Sequence, residues 1–478
     1  MPVDTFDVVV IGAGPPGENV ADRVVRSGMS CAVVESELVG GECSYWACMP
    51  SKALLRPWAA VSAARAVPAV AAAGSVDLDA AKVLESRNAF ASNWRDEDQI
   101  DWLENTGAVL LRGHGRLAGE RRVEVASREA EVVELVANHA VVVASGSRAS
   151  IPDIPGLKAA NPWTNREATS ADKVPESLAV IGGGAVGVEL ATAWSALGTR
   201  VTVLEPSERL LPAMEPFAGA LVAESLQNMG VDVRLGTAAE SVDRDSGIGP
   251  VRLWTSTGDE ITAAEVLVAT GRAPRTDDLG VETVGLTPGD WLSVDETCRV
   301  DQVPGGWLYA VGDVNGRALL THQGKYQARQ AVAALLARVN GTEVAGEPWS
   351  RYAATADTIA PPQVIFTTPN AAAVGQTLEQ AESSGWSVRA VDYDIGEVAG
   401  AALHGRDYEG RARLVIDEDR QVIVGATFVG PDIGELLHAA TIAIAGEVPI
   451  DRLWHAVPAF PTISEVWLRL LETYAGMS

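Results

Sequence analysis

Asp7-Val-Val-Val-Ile-Gly12-Ala-Gly14-Pro-Pro-Gly17 is the stretch on which the fold turns. Its unbroken apolar run, Val8 to Ile11, reads as a strand buried on both faces. Gly12, Gly14 and Gly17 then take the spacing of a tight turn that opens a helix. The first lets the chain reverse, the second lets backbone approach a pyrophosphate, and the third lets helix and strand pack closely. The helix is expected to run to Ser27-Gly28. The next strand, Cys31-Ala-Val-Val-Glu35, ends on a carboxylate suited to accept hydrogen bonds from an adenosine ribose. The unit reads as a dinucleotide-binding βαβ motif, with the helix N-terminus facing negative charge.

Every one of these landmarks returns later at a single offset: Gly182, Gly184, Gly187, Gly198 and Glu205, after the strand Ser177-Leu-Ala-Val-Ile and with Arg200-Val-Thr-Val-Leu as the following strand. One glycine turn is weak evidence; two, each answered by a glutamate, are strong. Glu205 would repel a 2′-phosphate, which favours NAD(H) over NADP(H), with Arg200 and Arg209 near enough in sequence to soften the preference.

From Gln99 to Ser147 the chain reads as short β-rich segments ending in Val141-Val-Val-Ala-Ser145-Gly146-Ser147. Ile151-Pro-Asp-Ile-Pro-Gly156 is a connector. Val266-Leu-Val-Ala-Thr-Gly271-Arg272 closes the second unit, and Trp307-Leu-Tyr-Ala-Val-Gly312-Asp313 is a further strand with a polar tip. From about Ser350 strands at 364–366, 412–416 and 422–429 alternate with helices at 435–445 and 464–473. The expected fold is α/β: two Rossmann-like dinucleotide-binding domains plus an α+β C-terminal domain. The boundaries are 1–155 and 273–348 for the first, 156–272 for the second and 349–478 for the third.

The 478 residues carry a formal charge of -26, with 47% hydrophobic and 21% charged residues. Such a surface repels phosphate backbones and anionic lipid, so neither nucleic acid nor membrane is an expected partner. The most apolar helical stretch, Ala59 to Val76, is interrupted by Arg65 and Pro68, and no targeting segment is apparent; the expected setting is cytoplasmic. The cysteines are Cys31, Cys43, Cys48 and Cys298, too few for a disulfide scaffold. A close pair in such a chain is catalytic or metal-binding more often than structural.

That pair lies in Gly40-Gly41-Glu-Cys43-Ser-Tyr-Trp-Ala-Cys48-Met-Pro-Ser-Lys52. Thiols at this separation can be bridged if the segment bends at a helix start, where the helix N-terminus favours thiolate. Zinc would need further ligands that no nearby Cys or His supplies. Two buried free thiols are the plain alternative.

The segment resembles the redox motif of the class I pyridine nucleotide-disulfide oxidoreductases, the family of dihydrolipoyl dehydrogenase, glutathione reductase and mercuric reductase. Ala144-Ser145-Gly146-Ser147, Ala269-Thr-Gly271-Arg272, Ala310-Val-Gly312-Asp313 and Phe366-Thr-Thr-Pro369 with Val374-Gly375 resemble its successive landmarks, so the likeness spans nearly the whole chain. The resemblance implies FAD on Gly12, Gly14, Gly17, Glu35, Gly41, Ser145 and Gly146, with Gly312-Asp313 on its ribityl chain. It implies a nicotinamide nucleotide on Gly182, Gly184, Gly187, Glu205 and Gly271. Cys48 would face the flavin and Cys43 would meet substrate as the two halves of a redox-active disulfide. Lys52, paired with Glu189, and His322 would lie near the flavin ring. The family is homodimeric through its C-terminal domain, and each site borrows a C-terminal segment of the other subunit. Hydride enters through the flavin and leaves through the cysteines to a small-molecule acceptor.

One position departs from the family. In His455-Ala-Val-Pro-Ala-Phe460-Pro461-Thr-Ile-Ser-Glu465 the general base of the disulfide reductases is replaced by Phe460, and Glu465 is left without the histidine it would orient. A positioned acid/base contributes about 10²–10⁴-fold, so feeble turnover of dihydrolipoamide or glutathione disulfide is expected. The readings are an atypical disulfide reductase of an unassigned acceptor, a diaphorase-like reductase of quinones or metal ions, or a relative of the carboxylase that uses Phe to exclude protons. Against the last, Glu465 stands where that enzyme has a second histidine. No cysteine follows Cys298, which argues against the C-terminal pair of mercuric reductase. Trp46 and Trp58 put unusual bulk near the cysteines, as core packing or as a stacking surface for a planar acceptor.

Overall fold

The computed structural model describes residues 3–72, 77–127 and 131–477. The chain divides into two compact units, one drawn from 1–49, 91–148 and 272–358, the other from 50–90, 149–271 and 359–478.

In the first unit the strand Val3–Ile11 pairs in parallel with Cys31–Glu35 on one side and Val132–Val143 on the other. Val109–Arg112 extends one edge. Arg122–Ala126 and His114–Leu117 extend the other as antiparallel strands, and Leu308–Ala310 also pairs with Val132–Val143. The apolar run is buried on both faces, as its composition requires. Val8 and Val10 join a cluster with Val20 and Val24 of helix Pro15–Arg26 and Val332 and Leu335 of helix Thr321–Val339. Val9 and Ile11 join a second cluster with Leu117, Val143 and Leu308. Each such side chain contributes roughly 1.5–3 kcal/mol of burial. Pro15 and Pro16 start their helix without cost, because the N–H groups they lack have no partner in a first turn. Cys31 and Cys298 belong to the first cluster; burial pushes the Cys31 thiol up to about 12, and both are packing residues.

The second unit repeats the motif. Ser177–Ile181 pairs in parallel with Arg200–Leu204 and Glu265–Val268, with Asp232–Arg234 at the edge, and Ala185–Ala196 is the crossing helix. A three-stranded antiparallel sheet, Ala239–Arg244, Val251–Thr255 and Glu260–Ala263, accompanies it. The C-terminal segment forms a five-stranded antiparallel sheet in the order Gln363–Ile365, Asn370–Gly375, Val422–Gly430, Arg411–Asp417, Val388–Asp394. Helices Leu437–Ala445 and Glu465–Tyr474 pack on it through Ala440, Ile444, Val466 and Leu470.

The structure corrects one expectation. The region from Gln99 does not begin as β structure: Glu97–Thr106 is a helix, and strands start at Val109. Ile100 and Leu103 share a helical face on the core, and Glu97 and Asp98 lie in the first turn, where the helix dipole favours them. Of the stretch 59–76, helices Cys48–Ala66 and Pro68–Ala71 occupy the described part; 73–76 lie outside it. Among the described residues no helix is long and apolar enough to cross a membrane.

Candidate active site

The two glycine turns are nearly superimposable in their constraints. Gly12 has φ +103°, and a Cβ there would lie 2.4 Å from Ala144 O; at Gly182 the values are +109° and 2.5 Å from Ala269 O. A Cβ on Gly17 would lie 2.0 Å from Gly12 O, and one on Gly187 1.9 Å from Gly182 O. Both third glycines are therefore demanded by helix–strand contact. Nothing lies within 4 Å of a Cβ built on Gly184, and at Gly14 only Pro16 Cδ does, at 3.9 Å. The middle glycines are thus not explained by protein packing; the space beside them, at a helix N-terminus, suits the close approach of a pyrophosphate.

The strand-end glutamates close their turns. Glu35 accepts from Ala13 N and Glu37 N, each at 2.7 Å. Glu205 accepts from Gly183 N at 2.7 Å and Ser207 N at 2.8 Å. Each carboxylate retains lone pairs for a ribose. Arg200 turns away to Glu176 at 2.9 Å, and Arg209 to Pro212 O at 3.2 Å.

One residue of the first turn escaped the sequence reading. Glu18, the next residue after Gly17, is 9% exposed, and its Oε1 makes no hydrogen bond among the described residues. Burial pushes its carboxyl up to about 7, against the pull of Lys325 and with the help of Glu35.

The polar tip at Asp313 is held by its surroundings. Ser147 Oγ donates to Asp313 Oδ2 at 2.5 Å, and burial raises the Asp313 carboxyl above its ordinary value. Gly312 N and Asn315 Nδ2 donate to Gln327 Oε1 at 2.7 and 2.8 Å, and Gln327 Nε2 donates to Asp357 Oδ2 at 3.0 Å. Ser145 Oγ donates to Arg275 O, and Gly146 O accepts from Arg275 N. Arg272 and Arg275 each lie 3.6 Å from Glu42, the residue before Cys43. Open space beside Gly14, the ribose acceptor Glu35 and the buried carboxylate Asp313 together fit FAD in this unit.

Gly41, with φ +60°, approaches Gly14 closely enough that a Cβ would lie 2.9 Å from its Cα. This brings the cysteine segment to the glycine turn. Cys43 lies in the short helix Gly41–Tyr45, and Cys48 is the first residue of Cys48–Ala66. The hydrogen bond between the two sulfurs, together with burial, pushes the Cys43 thiol far above its ordinary value. Thr321 Oγ1, on the first residue of Thr321–Val339, lies 3.3 Å from Cys48 Sγ. Its neighbour His322 is exposed. Trp46 is half-buried and stacks edge-on against Tyr45, with ring centroids 5.7 Å apart.

In the second unit Lys52 Nζ meets Glu189 Oε2 at 2.7 Å, while Glu189 Oε1 accepts from Phe366 N at 2.9 Å. The Lys52 ammonium also sits 5.0 Å from the Phe366 ring centroid. Gly271, with φ +124°, accepts from Ser150 N. Phe460 is 76% exposed, and Glu465 does not address it. Glu465 instead takes Arg469 of its own helix at 2.6 Å, so it has an ionic partner, although its Oε2 makes no hydrogen bond among the described residues. The i,i+4 spacing of Glu465 and Arg469 signals that pair in the sequence. His455 lies past the end of helix Ile450–Leu453, its N–H bonded to Arg452 O. Among the described residues no cluster of acidic, His and Cys side chains suits a metal ion.

Residues 6–335 match the family described as pyridine nucleotide-disulphide oxidoreductase, and residues 361–470 match its dimerisation domain. A dihydrolipoyl dehydrogenase from Haloferax volcanii is 32% identical over 99% of this chain and 97% of its own. A mercuric reductase from Staphylococcus aureus is 28% identical over 96% of this chain and 81% of its own. The crystal structure of LpdA from Mycobacterium tuberculosis shares the fold, with a TM-score of 0.82 at 23% identity, over 99% of this chain and 100% of its own. The chain belongs to the pyridine nucleotide-disulphide oxidoreductase family, whose members are enzymes that use FAD and NAD(H).

Proposed function

We propose that this enzyme passes electrons from NAD(H) through a redox-active Cys43–Cys48 disulfide to a small-molecule acceptor, as an atypical disulfide reductase without a histidine base. The observation that carries the reading is the meeting of the two sulfurs beside the glycine turn that fits FAD. Bound there, FAD supplies two-electron exchange between the nicotinamide and the sulfur pair.

The remaining work falls to side chains. Gly12, Gly14, Gly17, Glu35 and Asp313 hold FAD, with Gly41, Ser145, Gly146, Gly312 and His322 around it. Gly182, Gly184, Gly187, Glu205 and Gly271 hold the nicotinamide nucleotide, and the buried Glu205 carboxylate disfavours a 2′-phosphate. Lys52, anchored by Glu189, presents a fixed positive charge. Cys48 exchanges electrons and Cys43 meets the acceptor. Phe460 replaces the proton carrier with an apolar ring, so no base draws the proton from Cys43. Val457 and Phe460, both strongly exposed in one chain, belong to the surface expected to close on a second copy in a homodimer. The division into FAD-binding 1–155 and 273–348, NAD-binding 156–272 and dimerisation 349–478 segments, and a cytoplasmic setting, complete the reading.

A second reading, reduction of quinones or metal ions directly from the flavin, is favoured by Phe460 itself, because that route needs no thiol base. An acceptor screen with NADH and NADPH on wild type, Cys43→Ser and Phe460→His separates the two. Disulfide turnover that is low in wild type, rises in Phe460→His and vanishes in Cys43→Ser supports the first. Quinone turnover that persists in Cys43→Ser and exceeds every disulfide rate in all three proteins supports the second. Efficient dihydrolipoamide turnover by wild type would overturn the role given to Phe460.

A further inference from the structure

Two long helices begin at one sulfur. Cys48 is the first residue of the 19-residue helix Cys48–Ala66, and Thr321 is the first residue of the 19-residue helix Thr321–Val339. The Thr321 hydroxyl lies 3.3 Å from Cys48 Sγ. Cys43 sits instead on a helix of 5 residues. A helix N-terminus stabilises negative charge, and a hydrogen bond to a charged acceptor is roughly twice as strong as a neutral one.

We propose that Thr321 is a positioning residue that fixes the negative charge of the reduced pair on Cys48 and leaves the proton on Cys43. The inference rests on the redox-active disulfide proposed above. Reduction by two electrons and one proton breaks the S–S bond and gives one thiolate and one thiol. The electrons come from the nicotinamide nucleotide and the proton stays on Cys43 Sγ. The Thr321 O–H donates to the Cys48 thiolate, an interaction that a methyl group cannot supply. Cys43 faces the opposite balance. Its hydrogen bond to Cys48 and its burial hold its proton in place, and with Phe460 at the base position nothing removes it. The pair is thus polarised by a hydroxyl rather than by an imidazole.

The test is the pH profile of alkylation. Protein reduced with dithiothreitol and freed of it is treated with iodoacetamide, and the rate at each cysteine is read by peptide mass spectrometry. In wild type Cys48 is expected to react with the lower inflection. Thr321→Val is expected to raise that inflection by about one pH unit, a tenfold loss of rate below it. Thr321→Ser is expected to restore it. Thr321→Ala serves if valine impairs folding. An unchanged Cys48 profile in Thr321→Val or Thr321→Ala, or a lower inflection at Cys43 in wild type, overturns the inference. Thiol titration before and after reduction keeps the two levels apart. If no thiols appear on reduction, the disulfide reading falls and takes this inference with it. If both appear while the Cys48 profile ignores Thr321, only the inference falls.

Discussion

The first glycine unit, Gly12 to Glu35, and the second, Gly182 to Glu205, solve one steric problem in the same way. Their first glycines face a carbonyl at 2.4 and 2.5 Å, and their third glycines face one at 2.0 and 1.9 Å. They differ one residue later. The first helix buries Glu18; at the matching position the second buries Val188, which has no accessible surface. Only the first unit also carries the cysteine segment. The shared part is what backbone geometry dictates, and the chemistry sits in what differs.

The sharpest way to break this comparison is to add one carbon. Gly17→Ala and Gly187→Ala force a Cβ into a carbonyl and are each expected to cost about 3 kcal/mol, read as a fall in Tm. Gly184→Ala meets nothing within 4 Å. It is expected to keep the wild-type Tm and to lose NADH affinity, measured by titration. If Gly184→Ala also unfolds the protein, the middle glycine serves packing rather than a ligand.

Next in size is Glu18. Its carboxyl titrates at about 7 in the folded protein against 4.5 for an ordinary glutamate. The folded state therefore keeps a proton that the unfolded chain has lost, and stability falls as pH rises from about 4.5 through 7. Glu18→Gln mimics the neutral acid and is expected to flatten that decline. By pH 8 it should exceed wild type by roughly 2–3 kcal/mol in denaturant unfolding. Parallel curves for the two proteins across this range would show that the site is wet and that the likeness to Val188 is only geometric.

The strand-end carboxylates come third. Glutamine offers one acceptor where Glu35 and Glu205 each serve two backbone N–H groups, which costs about 1–2 kcal/mol. Glu205→Gln is expected to weaken NADH binding at unchanged flavin content, and Glu35→Gln to lower flavin content at unchanged NADH binding. Loss of both ligands in either variant would mean that the units do not work separately. The smallest effect is expected at Arg200, whose 73% exposed side chain pairs with Glu176. Arg200→Ala should change stability by less than about 0.5 kcal/mol.

What the sequence made legible follows the same division. The glycines, the glutamates and the strands they join could be read because each obeys a local rule of spacing or sterics. The five-stranded sheet was only partly legible: Ala-rich Asn370–Gly375 and polar Val388–Asp394 lack the apolar alternation that marks a strand. The helix Glu97–Thr106 was misread because its apolar residues are few. In the site, the Thr321–Cys48 contact joins residues 273 positions apart, a distance that only the fold can close. Glu18 was hidden for another reason. A glutamate on a helix reads as solvated, and only alignment with Val188 in the second unit signals that it is buried. Glu465, expected to stand alone, is paired with Arg469 four residues on, a rule as local as the glycines.

The turn at Asp313 has a further consequence. Its shape is set by Gln327, which takes Gly312 N and Asn315 Nδ2 on one oxygen and is itself braced by Asp357. None of those bonds uses the Asp313 side chain. The turn is a socket and the carboxylate an interchangeable fitting, so the 313 side chain can be exchanged to tune cofactor affinity while the loop that carries it keeps its form.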